Sequence, residues 1–192
     1  MIWKKLWKLP CLPKMKQFMW RLARNSLPLR MNIQRRGMTL DTRCPVCMRL
    51  DEDGGHCFLK CKFVKHGWLD LQLEPVRQKL LPKASAWEVI QEILNLKKDE
   101  CLKAVILLWR WWDVRNKLNK GERGLSRDGF MADVLRLMGE LGHKEKQMLE
   151  RPANVQQKWA PPPPGLLKIN SDGAFVSDTL TGGRGFIIRD HS

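Results

Sequence analysis

Four residues of metal-binding type lie within eighteen positions and constrain the fold of this chain more than any other feature. Cys44, Cys47, His56 and Cys61 are spaced C-x2-C-x8-H-x4-C. Zinc takes four sulfur or nitrogen ligands in a tetrahedron, and close pairs let one turn present two of them. The spacing therefore predicts one structural Zn²⁺ within residues 40–66. Metal binding would also hold together residues 51–55, whose polar sequence cannot form a core of its own.

Two further side chains in this region are candidate ligands. Cys57 is adjacent to His56 and could compete for the metal, and His66 follows Cys61 by five residues. We interpret Cys57 as a spare thiol and His66 as a surface residue. The alternative for the whole group is a set of free thiols beside a surface histidine.

The cysteine pattern also indicates the compartment. Cys11 and Cys101 are isolated, and the other four cysteines are too crowded for a typical secreted disulfide framework. Trp, Lys and Pro interrupt the N-terminus where a signal peptide needs a continuous apolar segment. We therefore expect reduced thiols and an intracellular protein, with nucleus and cytoplasm not distinguished.

Positive charge is concentrated at the N-terminus. The formal net charge is +15, and residues 1–40 contain ten Lys or Arg and no carboxylate. Such a field attracts polyanions, and nucleic acid (RNA, DNA or a hybrid) is the partner that it favours first. The predicted nucleic-acid-binding residues are Lys14, Lys16, Arg21, Arg24, Arg35 and Arg36. A basic surface without a partner, a mitochondrial presequence and a membrane-surface helix are the alternatives.

Hydrophobic periodicity predicts a mainly helical chain. Apolar stripes indicate helices that start near Lys14 and at Leu29, and others over 85–96, 102–118 and 128–141, the last ending at Gly139 or Gly142. Ser85 and Glu88 form a capping box. The longest apolar run is six residues, so no transmembrane segment is expected, and no feature indicates a small-molecule substrate.

The end of the chain follows a different pattern. Prolines 161–164 predict a stiff spacer, after which 167–170 and 185–188 read as strands, with Gly182-Gly183 in their connection. The predicted fold class is α+β: mainly helical with a small zinc knuckle, ending in a β-hairpin. The predicted domains are a zinc-binding domain over 1–70, a helical connector over 71–150, a Pro-rich linker over 151–165 and a C-terminal fragment over 166–192.

The first 68 residues resemble a known family. Their order and spacing are similar to the zinc-binding domain that follows reverse transcriptase in plant non-long-terminal-repeat retrotransposons. The matching residues are Ile2-Trp3, Pro13-Lys14, Phe18-x-Trp20-Arg21, Leu27-Pro28, Asn32, Arg36-Gly37, Cys44-Pro45-x-Cys47, His56, Cys61 and Trp68. Leu29 departs from the usual capping Thr or Ser, and Cys57 replaces an apolar residue. The motif Trp109-x-x-Trp112-x-x-Arg115-Asn116 is similar to the connector of such proteins.

The C-terminal segment resembles the start of plant ribonuclease H-like domains. The resemblance covers Trp159-x-Pro161-Pro162-x-x-Gly165-x-x-Lys168-Ile169-Asn170-x-Asp172-Gly173-Ala174, then Gly183-x-Gly185 and Ile188-Arg189-Asp190. It implies cleavage of the RNA strand of an RNA–DNA hybrid by two Mg²⁺ ions held by several carboxylates. Asp172 matches the first of these carboxylates, and the others come later in the family, so we expect a truncated and inactive domain.

These resemblances imply a retroelement remnant that binds nucleic acid, with a zinc-binding module and an incomplete ribonuclease H domain. One alternative is that the full-length parent is a hybrid ribonuclease and this chain is a part of it. Another is a zinc-stabilised protein-interaction module.

The first prediction concerns catalysis. We expect no cleavage of an RNA–DNA hybrid by this chain in Mg²⁺, because a single carboxylate cannot hold two metal ions. A gel assay measures it, with an intact hybrid ribonuclease in the same buffer as the positive control. Magnesium-dependent cleavage that Asp172→Asn abolishes would contradict the expectation.

Overall fold

A computed structural model of the protein describes residues 2–122, 126–150 and 160–191. The chain divides into two compact units, Met1–Met148 and Leu149–Ser192. The first unit is helical, and the second contains an antiparallel pair of strands. The predicted mainly helical fold with a C-terminal hairpin is confirmed at this level. Residues 151–159, most of the predicted linker, lie outside the described residues.

Eight helices and one π-helical turn make up the described part of the first unit. They are α1 (Ile2–Lys8), α2 (Pro13–Ala23), α3 (Arg30–Gln34), the π-turn (His56–Lys60), α4 (Lys62–Asp70), α5 (Glu74–Leu80), α6 (Ala86–Asn95), α7 (Lys98–Asn119) and α8 (Arg127–Glu150). The predicted boundary at residue 70 falls inside this unit.

Helices α2 and α6 form as their sequences predict. Pro13 occupies the first turn of α2, where a missing N–H costs nothing, and the predicted apolar stripe is buried along its whole length. Ser85 caps α6 by accepting a hydrogen bond from the backbone N–H of Glu88, and its hydroxyl bonds the Glu88 carboxylate. Both helices pack against α7, which places α7 at the centre of the unit.

Helix α7 buries more than the stripe that its sequence predicts, which is Val105, Leu108, Trp109 and Trp112. Five consecutive residues, 104–108, are buried, so the middle of the helix is covered on all sides. Trp111 is also buried, whereas Trp109 and Trp112 are half-buried. The prediction that α8 ends at Gly139 or Gly142 is wrong, because the helix continues to Glu150. A helix tolerates a single glycine at a cost of about 1 kcal/mol when good helix formers surround it.

The second unit contains a regular hairpin. Strand β1 (Lys168–Val176) pairs with β2 (Thr181–Arg189) in antiparallel register, with Asp172 opposite Gly185. The prediction that Gly182-Gly183 lies in the connection is wrong, because both residues pair within β2. A Cβ on Gly182 would approach the Ala174 carbonyl oxygen to 2.9 Å, so the glycine lets the two backbones come close.

A buried ion pair ties the knuckle region to α7. Glu52 is fully buried, and its carboxylate accepts hydrogen bonds from Nε of Arg115 at 2.7 Å and from Nη2 of the same guanidinium. It also accepts from the backbone N–H of Arg30 at 3.0 Å. The sequence predicts that residues 51–55 form no core of their own, and Glu52 is instead buried in the core of the whole unit. Its charge is tolerated in the interior because every donor around it is aimed at the carboxylate.

The second prediction concerns this pair. Arg115→Met should lower the free energy of unfolding by about 3–5 kcal/mol, because it leaves the buried Glu52 carboxylate without its counter-charge. Adding Glu52→Gln should recover part of the loss, since a neutral amide is cheaper to bury. Urea denaturation measures both variants.

Arg136→Met is the matched control, because it removes an exposed arginine that pairs with Asp133 and Glu140. It should change the free energy of unfolding by less than about 1 kcal/mol. Equal losses for Arg115→Met and Arg136→Met would contradict the role of the buried pair.

Candidate metal centre

Cys44 and Cys47, the first two candidate ligands, lie in a tight turn closed by backbone hydrogen bonds. The N–H of Cys44 donates to the Leu50 carbonyl at 2.8 Å, and the N–H of Met48 donates to the Cys44 carbonyl at 2.9 Å. Met48 adopts a positive φ of 55°, which reverses the chain directly after Cys47. A single antiparallel bridge between Arg43 and Asp51 closes the base of the loop. This geometry presents both sulfurs on the same side.

The π-turn supplies the other two candidate ligands. His56 begins the turn, and Cys61 follows it as the residue that precedes α4. The N–H of Cys61 donates to the His56 carbonyl at 2.8 Å, a hydrogen bond that spans five residues. An α-helix would rotate residues five apart by about 140° from each other, whereas a π-turn brings them close to alignment. The four residues between His56 and Cys61 therefore favour a π-turn over an α-helix if both side chains are to face one ion.

The ligand atoms of Cys44, Cys47, His56 and Cys61 all lie within 4.8 Å of one another. His56 Nε2 is the nitrogen that faces Cys47, at 3.3 Å from its Sγ. Zinc bonds of about 2.3 Å to sulfur give a tetrahedron with edges of about 3.8 Å, so the group needs only a small contraction to bind the ion. Three sulfurs and one imidazole are a donor set typical of structural zinc.

Hydrogen bonds shift the pKa values of two of the cysteines in opposite directions. The hydrogen bond between Cys61 and Cys44, together with burial, raises the pKa of Cys44, against the opposing effect of the Val46 and Cys47 backbone N–H groups. The same hydrogen bond lowers the pKa of Cys61, which also accepts from the Phe63 backbone N–H. A cation binds the thiolate form, so its binding here must displace the proton of Cys44.

The His56 ring is held by its backbone. The His56 N–H donates to Asp53 Oδ1 at 2.5 Å, while the buried Nδ1 has no hydrogen-bond partner. Zinc-bound histidines usually donate their second N–H to a carbonyl or carboxylate. Among the described residues, Nδ1 lacks that partner, so the ring is oriented by the π-turn backbone, by burial and by the contact of Nε2 with Cys47.

Three buried side chains fix the π-turn from outside. The widened turn leaves the carbonyls of residues 57, 58 and 59 for other donors. Trp111 Nε1 donates to the Cys57 carbonyl at 2.8 Å, and Trp68 Nε1 to that of Phe58 at 2.9 Å. Arg77 Nη1 donates to the Leu59 carbonyl at 2.8 Å. Helices α7, α4 and α5 each contribute one donor, so the candidate metal centre is anchored in the helical core.

The two spare side chains lie outside the four-residue group. Cys57 is buried, and desolvation raises its pKa well above the ordinary value, so it stays a neutral thiol. His66 is exposed on α4, as predicted. Sequence spacing alone could not separate Cys57 from His56, because both are buried and the backbone of the π-turn decides which side chain faces the other sulfurs.

The basic residues predicted to bind nucleic acid lie on two neighbouring segments. Lys14, Lys16, Arg21 and Arg24 lie on α2 or at its end, and Arg35 and Arg36 follow α3. All of them except the half-buried Lys16 are exposed. Lys14 Nζ lies 4.7 Å from the ring centroid of Trp109, and the Arg24 guanidinium lies 5.9 Å from that of Trp20.

Asp172 is not part of a comparable group. It is exposed on β1, and its Oδ1 accepts from the N–H of Gly173 at 2.9 Å. Within residues 2–122, 126–143 and 160–191, the cluster at Cys44 is the only group of three or more Cys, His, Asp or Glu that could hold a metal ion. The structure thus brings the predicted zinc ligands together. Within the residue ranges just given, no group of further carboxylates surrounds Asp172.

Residues 1–68 match the family model for zinc-binding in reverse transcriptase. With the Cys/His cluster, this match confirms that the N-terminal segment resembles a reverse-transcriptase zinc-binding domain, and it supports structural zinc as the cofactor of that segment. No curated protein and no solved structure matches the chain.

Sequence reasoning missed the residues that support the site. Glu52, Arg77 and the indole N–H groups of Trp68 and Trp111 had no assigned role. Arg115 belongs to the connector motif, and a buried role could have been inferred from an arginine three residues after Trp112 on an apolar helix. The Arg115 guanidinium lies 4.9 Å from the Trp112 ring centroid.

The third prediction concerns the metal. The purified chain should bind one Zn²⁺, and Cys44→Ser or Cys61→Ser should abolish tight binding, because each removes one of the four ligands. Affinity should fall as the pH falls, since binding must displace thiol protons. Cobalt substitution, read by its sulfur charge-transfer absorption, measures both effects.

Cys11→Ser and Cys57→Ala are the matched controls, because both remove a thiol outside the group. Each should retain one metal per chain. Loss of the metal in Cys57→Ala, with retention in Cys44→Ser, would reverse the ligand assignment.

Proposed function

We propose that this protein is an intracellular, retroelement-derived nucleic-acid-binding module whose zinc ion is structural and whose basic face is formed by α2 and the end of α3. The observation that carries the proposal is that six clustered cations have no carboxylate partner. Within the part of the chain that the structure describes, none of Lys14, Lys16, Arg21, Arg24, Arg35 and Arg36 pairs with a carboxylate.

Several basic residues elsewhere in the unit pair with carboxylates. Arg110 pairs with Asp113 and Asp133, Arg127 with Asp70, and Lys103 with Asp99. The six cations differ in that they are clustered on α2 and after α3 with no carboxylate partner, which supports binding of an external anion at this face. Phosphates of a nucleic acid are the anions that a row of exposed Lys and Arg recognises, through release of condensed counterions.

Aromatic rings interleave with these cations. Trp20 is 40% exposed beside Arg24, and Trp109 lies between Lys14 and Arg110. Stacking of bases on aromatic rings beside a charged groove is how proteins hold single strands without reading sequence. This combination favours nucleic acid over an anionic membrane. Among the described residues, no helix is long and apolar enough to cross a bilayer.

The finer assignment rests on sequence motifs. We propose a parent element of the plant non-long-terminal-repeat type and interpret residues 166–192 as the start of a ribonuclease H-like sheet. The motif around Asp172 supports this, and the antiparallel hairpin is compatible with it. Mg²⁺ would enter only with a complete set of carboxylates.

The fourth prediction tests the basic face. The zinc-loaded full chain should bind a fluorescent single-stranded oligonucleotide with an affinity that falls steeply with salt. Arg35→Gln/Arg36→Gln should weaken binding and reduce the log–log salt slope by about 0.7 for each phosphate that the variant no longer neutralises. Fluorescence anisotropy over a salt series measures it.

Lys65→Gln/Lys79→Gln is the control, because it removes the same charge from exposed positions on other helices. It should change the slope less. Equal effects of the two pairs would mean that only net charge matters, and absence of any salt-sensitive binding would favour the protein-interaction alternative.

A further inference from the structure

A cavity of about 490 Å³ opens beside the π-turn. Its walls come from the end of α2, the π-turn, the segment that precedes α6, and α6 itself. The volume lies within the range of about 300–1,000 Å³ that small-molecule and cofactor sites occupy. None of the four candidate zinc ligands lines it.

The inner wall of this cavity is apolar. Buried side chains of Leu22, Phe58, Leu59, Leu80 and Leu108 line it. Trp87 of α6 is half-buried at the same cavity and contacts Trp3, with the ring centroids 4.9 Å apart. Such a wall excludes a hydrated ion and suits a flat, weakly polar group that gains by leaving water.

The outer wall is basic. Arg24, Arg35 and Lys60 line the cavity and are exposed, so their charges lie at its mouth. Lys83 also lines it but pairs with Glu92 at 3.1 Å. Asp53 is the only carboxylate among the lining residues that the structure describes, and its Oδ1 accepts the His56 N–H. The mouth therefore favours an anion next to the apolar group.

We propose that this cavity holds one base of a single-stranded nucleic acid, with the adjoining phosphates on Arg24, Arg35 and Lys60. An apolar recess with a cationic mouth complements the two parts of a nucleotide. Arg24 and Arg35 also belong to the basic face, so the mouth of the cavity is continuous with that face. The inference rests on the proposed function and adds the class of ligand.

A single strand fits better than a duplex. Bases in a duplex are stacked and paired, and extracting one costs a few kcal/mol. A single strand offers its bases freely, and stacking or burial of one base contributes about 1–3 kcal/mol. The cavity thus selects for unpaired nucleotides, whereas exposed cations alone would bind either form.

The fifth prediction separates the contribution of the base to binding affinity from that of the phosphate. The zinc-loaded full chain is titrated with oligothymidylate of about 12 nucleotides, with oligouridylate, with a duplex and with an abasic strand of equal length. The base-containing strands should bind about fivefold or more tightly than the abasic strand. The two single strands distinguish DNA from RNA as the preferred source of the base.

A cavity-filling variant tests the location. Ala86→Phe places a ring in the cavity from the first turn of α6 and should reduce the preference for base-containing over abasic strands to what stacking on the basic face supplies. Ala132→Phe is the control, because it adds the same ring to an exposed position of α8 outside the cavity. If Ala86→Phe loses zinc, Ala84→Phe at the exposed edge of the cavity replaces it.

The outcomes are distinct. Equal affinity for base-containing and abasic strands, tighter binding of the duplex, or an unchanged preference in Ala86→Phe would overturn the cavity proposal and leave the basic face intact. Absence of binding to every strand, the abasic one included, would overturn the proposed function with it.

Discussion

The first unit depends on how the three carbonyls of the π-turn are satisfied. A turn that widens to align His56 with Cys61 leaves the carbonyls of residues 57–59 for donors from elsewhere, and a buried carbonyl without a partner is costly. Trp111, Trp68 and Arg77 supply one donor each. The geometry of the metal ligands therefore depends on side chains from three helices that bind no metal.

The same turn connects the candidate metal centre with the cavity. His56 and Cys61 face the other sulfurs, while Phe58, Leu59 and Lys60 line the cavity. Fixing the side of the turn that faces the sulfurs also fixes the side that lines the cavity, because the residues of a single turn cannot be positioned independently. A structural zinc ion can thus contribute to ligand binding without touching the ligand.

The local part of this architecture was predictable from sequence, and the non-local part was not. The stripe of α2, the cap of α6 and the spacing of the four ligands depend on residues a few positions apart, and the structure agrees with each. Glu52 and Arg115 lie 63 positions apart, and no periodicity connects them. The predicted stripe on α7 packs in the core, but it is narrower than the buried surface of the helix for a related reason: α7 is surrounded by other helices, and such a helix shows little amphipathic pattern.

The Glu52–Arg115 pair also determines how far the zinc-binding segment can be separated from the helices after it. The family model ends at residue 68, yet the carboxylate in its knuckle finds its guanidinium on α7. If recombination moved the first seventy residues into another protein, they would arrive with an orphaned negative charge in their interior. A segment that keeps this charge satisfied is therefore longer than the ligand motif, and it extends at least to Arg115 on the seventh helix.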